Sequence, residues 1–146
     1  HDQARRPAAR PRLEPGRALI YLDTSVVLAR LFAEDRSPPD DFWSQTLVAS
    51  RLLEFEVFNR VHAHGAATSH GADARKLVDR INLLEMSAPV LDRALLPFAQ
   101  PVRTLDALHL ATMDFLRGQG LMPKLATYDK RMAEAAVSEG FVLADC

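Results

Sequence analysis

The sequence predicts an α/β fold with a mainly parallel sheet. Two observations lead to this prediction: from residue 18 onward short apolar runs alternate with helical patterns, and the length of 146 residues suits one domain. The first run, ALIYL at 18–22, is followed almost at once by the helical pattern VVLARLF. The predicted strands are 18–22, 46–49, 82–86, 124–127 and 141–143. The predicted helices are 24–32, 40–45, 50–64, 70–80, 89–96, 105–119 and 130–139.

Apolar spacing and stop signals define these helices. The helix predicted at 50–64 has Leu53, Val57 and Val61 at helical spacing, and Gly140 is the predicted stop of the helix at 130–139. The helix predicted at 105–119 carries a stripe that we expect to be its buried face. That stripe consists of Leu105, Leu108, Thr112 and Phe115.

Composition excludes several classes of function. The net charge of -1 and pI of about 6.6 give no overall basic signal for nucleic acid, so any RNA contact has to come from a local patch. The single cysteine, Cys146, excludes a disulfide framework or a cysteine zinc site within one chain, and it suits a reducing cytoplasm. No apolar run approaches the roughly 18 residues of a membrane span, and no signal peptide is evident.

Residues 1–17 differ from the rest of the chain. They contain five arginines and three prolines and have no apolar periodicity. We predict a flexible leader outside the folded domain of residues 18–146, derived in part from an expression vector or an upstream reading frame because the chain begins with His1. A passive tail and an RNA-binding basic arm are both compatible with this composition.

Four acidic residues are candidates for a metal site: Asp23, Glu56, Asp106 and Asp129. Asp23 follows the first predicted strand, and ligands of open parallel sheets bind beyond the carboxyl ends of the strands. Asp129 likewise follows a late strand. Four carboxylates in one crevice would suit a hard cation, and by repelling one another they would raise their own pKa values.

Each acid also has a purely structural interpretation. Asp23 and Asp129 lie where helices begin and could serve only as caps, and a helix dipole favours Asp106 in a first turn. Glu56 lies between Phe55 and Val57 inside a helix, where burial would be costly without a positive partner such as a metal. His109, three residues after Asp106, fits a structural hydrogen bonder better than a ligand.

Several acid-dependent enzymes are excluded by residues that the sequence lacks. Phosphatases of the haloacid dehalogenase type need a second aspartate two residues after the first, where Ser25 stands. A phosphoacceptor receiver domain needs an acidic pair before its first helix, but Asp23 is alone. Neither GxxxxGK[ST] nor GxSxG occurs. Metal-assisted hydrolysis remains as the predicted chemistry.

Four segments of the chain resemble the signature segments of PIN-domain ribonucleases, in the family's order and spacing. They are YLDTS after the first strand, SRLLEFEVFN on a helix, RTLDALHLAT opening another helix, and ATYDKRM after a late strand. The nearest subgroup is the VapC-type toxins of toxin–antitoxin pairs. The resemblance covers nearly all of residues 18–143.

This resemblance implies a PIN-like three-layer sandwich with about five strands and about seven helices. It implies that Asp23, Glu56, Asp106 and Asp129 hold Mg²⁺, with Mn²⁺ as a substitute, and that Thr24 or Ser25 supplies the family's supporting hydroxyl. Glu54 is a rival for Glu56, and Asp129 occupies the family's most variable position. The arginine-rich leader is atypical for the family.

The function implied is a metal-dependent endoribonuclease toxin that cleaves a structured RNA, such as tRNA or rRNA, in the cytoplasm. A cognate VapB-type antitoxin, a homodimer or a toxin–antitoxin hetero-oligomer are the implied assemblies, with no membrane partner. The alternative is a non-catalytic PIN-like module that binds RNA or protein. A flap-type DNA nuclease is disfavoured because such enzymes need long insertions.

Two sets of residues are candidates for contacts with partners. The first set consists of cations that could hold an RNA backbone: Arg30, Arg51, Arg60, Arg103, Lys130 and Arg131. The second consists of large apolar residues of the first helices, which either fill the core or form an antitoxin groove: Leu28, Leu31, Phe32, Phe42, Trp43, Phe55 and Phe58.

Overall fold

The computed structural model describes residues 13–14 and 18–146. In this part of the chain it contains five strands, six α-helices and one 3₁₀ helix, Asp40–Ser44. The strands are β1 Ala18–Leu22, β2 Leu47–Ser50, β3 Asn82–Leu84, β4 Met122–Ala126 and β5 Val142–Leu143. The helices are α1 Thr24–Leu31, α2 Leu52–Ala63, α3 Ala67–Asp79, α4 Ala88–Ala94, α5 Thr104–Gly118 and α6 Lys130–Ser138.

All five strands are parallel and lie in the order β3-β2-β1-β4-β5. The central strand β1 is buried on both faces, as strands of parallel sheets are when helices cover both sides. Its Ile20 and Leu22 pack in one apolar cluster with α1, α2 and α3, while its Leu19 and Tyr21 pack in a second cluster with α5 and α6. The predicted α/β fold with three layers is therefore confirmed.

The strand order reverses at β1, which has β2 on one side and β4 on the other. Such a reversal opens a crevice beyond the carboxyl ends of the two diverging strands. The β1–β4 register pairs Leu22 with Ala126, and the Asp23 N–H donates to the Ala126 carbonyl at 3.0 Å. The residues that follow β1 and β4 are thereby held side by side at this crevice.

Element types are predicted correctly, whereas several boundaries are wrong. The helix predicted at 50–64 begins only at Leu52, because Ser50 still pairs with Leu84 in the sheet. The helix predicted at 70–80 begins earlier, at Ala67, where no side-chain cap marks the start. The strand predicted at 82–86 ends at Leu84.

The predicted buried face of α5 is correct only at Thr112, which is 1% exposed. Leu105 is 48% exposed, and Leu108 and Phe115 are only partly buried. The buried face instead contains the following residues: Ala107, His109, Leu110, Ala111, Thr112, Met113 and Leu116. The helix is apolar over more than one stripe, so spacing alone does not select the face that meets the sheet.

The predicted leader falls mostly outside the described residues, apart from Leu13 and Glu14. Leu13 is partly buried against the second apolar cluster. Among the residues that the structure describes, no helix has the length and apolar character required to cross a membrane.

An ion-pair network fixes α4, α5 and α6 relative to one another. Asp114 of α5 accepts hydrogen bonds from Arg93 at 2.9 Å and from Arg117 at 2.8 Å, and Arg93 also lies 3.6 Å from Glu139. Glu139 in turn accepts a hydrogen bond from the Ala99 N–H, within the loop that leads into α5. The network therefore anchors the segment that presents the first turn of α5.

We expect this network to stabilise the fold in a pH-dependent manner. Burial alone would raise the pKa of Asp114, but the hydrogen bonds and charges of Arg117 and Arg93 outweigh it and lower the pKa below its ordinary value. A carboxyl group with a lowered folded-state pKa stabilises the protein above its unfolded-state pKa and loses that effect as the pH falls.

Asp114→Asn should therefore lower Tm at pH 7, and the difference from wild type should shrink below about pH 4. The measurement is thermal unfolding between pH 3 and 7. Asp92→Asn, which removes an exposed carboxylate from α4, is the control and should leave Tm nearly unchanged. A difference between wild type and Asp114→Asn that does not vary with pH would contradict this interpretation.

Candidate active site

The four predicted acids lie around the crevice at the carboxyl ends of β1 and β4. Asp23 follows β1 and caps α1, and Asp129 lies just after β4 and caps α6. Asp106 is in the first turn of α5, and Glu56 projects from α2. Each acid therefore comes from a different helix or helix cap, and the sheet and the packing of these helices set their positions.

Asp23 is a helix cap and also belongs to a hydroxyl network. Its Oδ2 accepts hydrogen bonds from the Ser25 hydroxyl at 2.5 Å, the Thr127 hydroxyl at 2.8 Å and the Ser25 N–H at 3.4 Å. Thr127 also accepts a hydrogen bond from the Asp129 N–H at 2.9 Å, and Ser25 accepts one from the Tyr128 N–H at 3.0 Å. The two hydroxyl groups thus connect the ends of β1 and β4.

Thr127 is a site residue that the sequence analysis does not identify. Its contact with Asp23 joins residues 104 positions apart, so no local pattern reveals it. The one available signal is that Thr127 directly follows a late strand, as Asp23 follows the first strand.

The two candidate supporting hydroxyls serve different acids. Ser25 binds Asp23, whereas the buried Thr24 donates to Glu56 Oε1 at 3.1 Å. The sequence leaves the choice between Thr24 and Ser25 open. In the structure both hydroxyl groups contact a candidate metal ligand, Ser25 contacting Asp23 and Thr24 contacting Glu56.

Glu56 has a partner that sequence reasoning does not find. His109 Nε2 lies 2.6 Å from Glu56 Oε1, and the Glu56 side chain is 23% exposed. The flanking Phe55 is 61% exposed and Val57 is fully buried, and Glu56 lies between these extremes. The rival Glu54 points elsewhere, because its carboxylate pairs with Arg51 and Arg75.

Asp106 is the one acid of the four whose negative charge is not stabilised by a hydrogen bond from a described residue. Its half-buried carboxylate accepts no hydrogen bond from any residue in the described ranges. Burial raises its pKa, and the negative charges of Asp129, Asp23 and, more weakly, Glu56 raise it further, against an opposing effect of His109. The three other acids are therefore close enough to Asp106 for their charges to influence its pKa.

Three of the carboxylates share one further property. The hydrogen bonds that each accepts go to a single oxygen, which is Oδ2 of Asp23, Oε1 of Glu56 and Oδ1 of Asp129. The second oxygen of each, and both oxygens of Asp106, accept no hydrogen bond from the described part of the chain. One oxygen fixes the orientation while the other remains available.

This donor set fits a hard divalent cation. Carboxylate oxygens are the ligands preferred by Mg²⁺ and Mn²⁺, and an uncompensated half-buried carboxylate is stabilised by positive charge. Within residues 13–14 and 18–146 no three histidine, cysteine or acidic side chains are grouped closely enough to enclose an ion. Mg²⁺ uses few protein ligands and keeps several waters, so an open arrangement is compatible with its chemistry.

A crevice of about 390 Å³ lies beside Asp106, and two cations line it: Arg103 and Arg131. Neither guanidinium forms an ion pair or hydrogen bond with a residue that the structure describes. By contrast, Arg30 pairs with Asp40 at 3.2 Å, and Arg51 pairs with Glu54 and Glu85. The structure thus distinguishes among the cations proposed from sequence.

The large apolar residues of the first helices mainly fill the core. Leu31, Phe42 and Trp43 are buried in the first apolar cluster, and Phe32 and Phe58 pack against it. Phe55 is the exposed exception. The interpretation of these residues as core is therefore the correct one for most of the set.

Comparison with known proteins identifies the family of this chain. The sequence profile of the family described as PIN domain matches residues 20–138. Ribonuclease VapC46 of Mycobacterium tuberculosis (strain ATCC 25618 / H37Rv) is 34% identical over 131 residues, covering 86% of this chain and 96% of that protein. Ribonuclease VapC47 of the same species (strain CDC 1551 / Oshkosh) is 28% identical over 133 residues, covering 86% and 96%.

Solved structures share the fold at low sequence identity. A toxin–antitoxin complex from Klebsiella pneumoniae has a chain with TM-score 0.56 and 16% identity, covering 82% of this chain and 93% of that one. The Mycobacterium tuberculosis VapC20, described as a sarcin–ricin loop cleaving toxin, has TM-score 0.54 and 20% identity, covering 87% and 99%. The predicted resemblance to PIN-domain ribonucleases is confirmed, and the chain belongs to the PIN domain family.

Proposed function

We propose that the protein is an Mg²⁺- or Mn²⁺-dependent endoribonuclease toxin that hydrolyses phosphodiester bonds in a structured RNA, such as tRNA or rRNA. The observation that carries this proposal is a set of four acids with free oxygens, of which Asp106 has a raised pKa caused in part by the charges of the other three. Asp106 also lines a crevice with two unpaired guanidinium groups. Relatives at 34% and 28% identity are named ribonucleases, which supports RNA as the substrate class.

We propose that Asp23, Glu56, Asp106 and Asp129 hold the cation through their free oxygens. A bound divalent cation supplies Lewis-acid charge that activates water and stabilises the negative charge developing on the phosphate. The Ser25 and Thr127 hydroxyls keep Asp23 oriented, and Thr24 and His109 keep Glu56 oriented. These residues thus hold the ligand oxygens in place before the cation binds.

Arg103 and Arg131 are the residues best placed to hold the RNA backbone. They line the crevice that contains Asp106, so a phosphate bound to them would lie next to the acids. Without such cations an acidic site would repel RNA. The proposed division is therefore between acids that bind the cation and arginines that bind phosphate.

The proposed partner is a cognate VapB-type antitoxin. The proposed assembly is either a homodimer of the toxin or a toxin–antitoxin hetero-oligomer, and the proposed location is the cytoplasm. Support comes from the VapC names of the sequence relatives, since VapC toxins are the subgroup that the sequence resembles. The competing proposal, a non-catalytic PIN-like binding module, is disfavoured because all four acids are present with free oxygens.

We expect Asp106→Asn and Glu56→Gln each to abolish RNA cleavage and to weaken Mn²⁺ binding strongly, because each removes a charged ligand without changing side-chain size. Calorimetric titration of Mn²⁺ into antitoxin-free protein and a total-RNA cleavage assay are the measurements. Glu54→Gln is the matched control, two residues from Glu56 on the same helix but paired with Arg51 and Arg75.

Full cleavage by a folded Asp106→Asn or Glu56→Gln protein would remove that residue from the site. No Mn²⁺ binding by the wild-type protein would favour the non-catalytic module. Loss of activity in Glu54→Gln equal to that in Glu56→Gln would show that the assignment of the second acid is wrong.

For the arginines, Arg103→Gln and Arg131→Gln should raise KM for RNA and leave Mn²⁺ affinity unchanged. The slope of log affinity against log salt should become shallower by about one for each lost phosphate contact. RNA binding measured over a series of KCl concentrations tests this. Arg30→Gln is the control, because that exposed arginine is already paired with Asp40. An equal rise in KM and an equal change of the salt slope in Arg30→Gln would show that the arginines act only through non-specific electrostatics.

A further inference from the structure

Behind the acidic site a chain of hydrogen bonds runs from the sheet to Glu56. The Ser50 N–H donates to the Tyr21 hydroxyl oxygen at 3.2 Å, the Tyr21 hydroxyl lies 2.8 Å from His109 Nδ1, and His109 Nε2 lies 2.6 Å from Glu56 Oε1. We propose that His109, oriented by Tyr21, is a positioning residue that holds Glu56 with its Oε2 directed to the cation. This inference rests on the proposed function.

The side chains of Tyr21 and His109 in this row of hydrogen bonds are buried, and only Glu56 at its end is partly exposed. Tyr21 has no exposed surface and His109 is 1% exposed, and the two rings meet edge to face with centroids 5.9 Å apart. Burial raises the pKa of Tyr21, so its hydroxyl keeps its hydrogen. The imidazole is therefore fixed by packing and by its hydrogen bond with Tyr21.

The directions of the hydrogen bonds select one tautomer of His109. His109 Nε2 faces a carboxylate oxygen of Glu56, which accepts hydrogen bonds, and the Tyr21 hydroxyl has a hydrogen that it can donate to Nδ1. Nδ1 is then the acceptor, and Nε2 carries the hydrogen that is donated to Glu56. Glu56 and Tyr21 together thus place the hydrogen of the neutral imidazole on Nε2.

Two donors converge on the same oxygen of Glu56. Thr24 donates to Oε1 at 3.1 Å and His109 reaches the same atom at 2.6 Å, whereas Oε2 accepts no hydrogen bond from the described residues. Rotating the carboxylate would break both bonds. Residues that hydrogen-bond to a metal ligand without contacting the metal orient that ligand, and their removal typically lowers metal affinity by about 10- to 100-fold.

The test measures Mn²⁺ affinity in folded variants, together with a spectroscopic readout. His109→Asn cannot reach Glu56 and should lower Mn²⁺ affinity by about 10- to 100-fold. His109→Gln places an N–H near the position of Nε2 and should restore most of the loss. Tyr21→Phe removes the hydroxyl that orients the ring and should lower the affinity in the same direction.

Controls separate positioning from general damage to the core. Met113→Leu alters a buried residue of the same helix and should leave Mn²⁺ affinity unchanged. ¹⁵N NMR of the wild-type imidazole should show hydrogen on Nε2 and none on Nδ1, and the Nδ1 signal should shift in Tyr21→Phe because this nitrogen loses its hydrogen-bond donor. Thermal unfolding confirms that each variant is folded.

The outcomes distinguish this inference from the proposed function. Wild-type Mn²⁺ binding with unchanged affinity in folded His109→Asn and Tyr21→Phe would overturn the positioning role and leave the proposed function intact. An Nδ1–H tautomer in the wild-type protein would also overturn it. No Mn²⁺ binding by the wild-type protein would overturn both.

Discussion

The hydrogen bonding of β1 to β2 on one side and to β4 on the other creates the edge at which the candidate site lies. The register that pairs Leu22 with Ala126 places Asp23 beside Thr127. The same central strand supplies Tyr21, whose hydroxyl reaches α5 through His109. Because parallel strands point their carboxyl ends to one edge, one sheet both forms the crevice and orients the side chains around it.

The acids that lie at that edge of the sheet repel one another because their charges have the same sign. The raised pKa of Asp106, caused by burial and by its acidic neighbours, records that repulsion. Hydrogen bonds to one oxygen of Asp23, Glu56 and Asp129 hold the carboxylates in place against it. The remaining oxygens are free for a divalent cation, which would relieve the repulsion, and the two free arginines of the crevice would attract a phosphate.

Local patterns in the sequence predict the strands, the helices and the positions of Asp23 and Asp129 after strands, because apolar periodicity and strand ends are local properties. The choice of Glu56 and Asp106 as further site residues rests on the family resemblance. The support for Glu56 is not predictable in this way, since its contact with His109 joins residues 53 positions apart. The sequence indicates that His109 is a structural hydrogen bonder, and it is one, but no local pattern identifies its partner. Apart from Thr112, the face of α5 is predicted wrongly because several of its stripes are apolar, and only packing against the sheet selects one.

The most direct test of the central claim is anomalous diffraction from crystals of the protein grown with Mn²⁺. We expect a manganese peak at the carboxyl ends of β1 and β4 that contacts Asp106 directly and reaches the free oxygens of the other acids, including Glu56 Oε2, directly or through bound waters. Manganese bound only elsewhere, or bound through Glu54 in place of Glu56, would contradict the assignment of these four acids as the metal site.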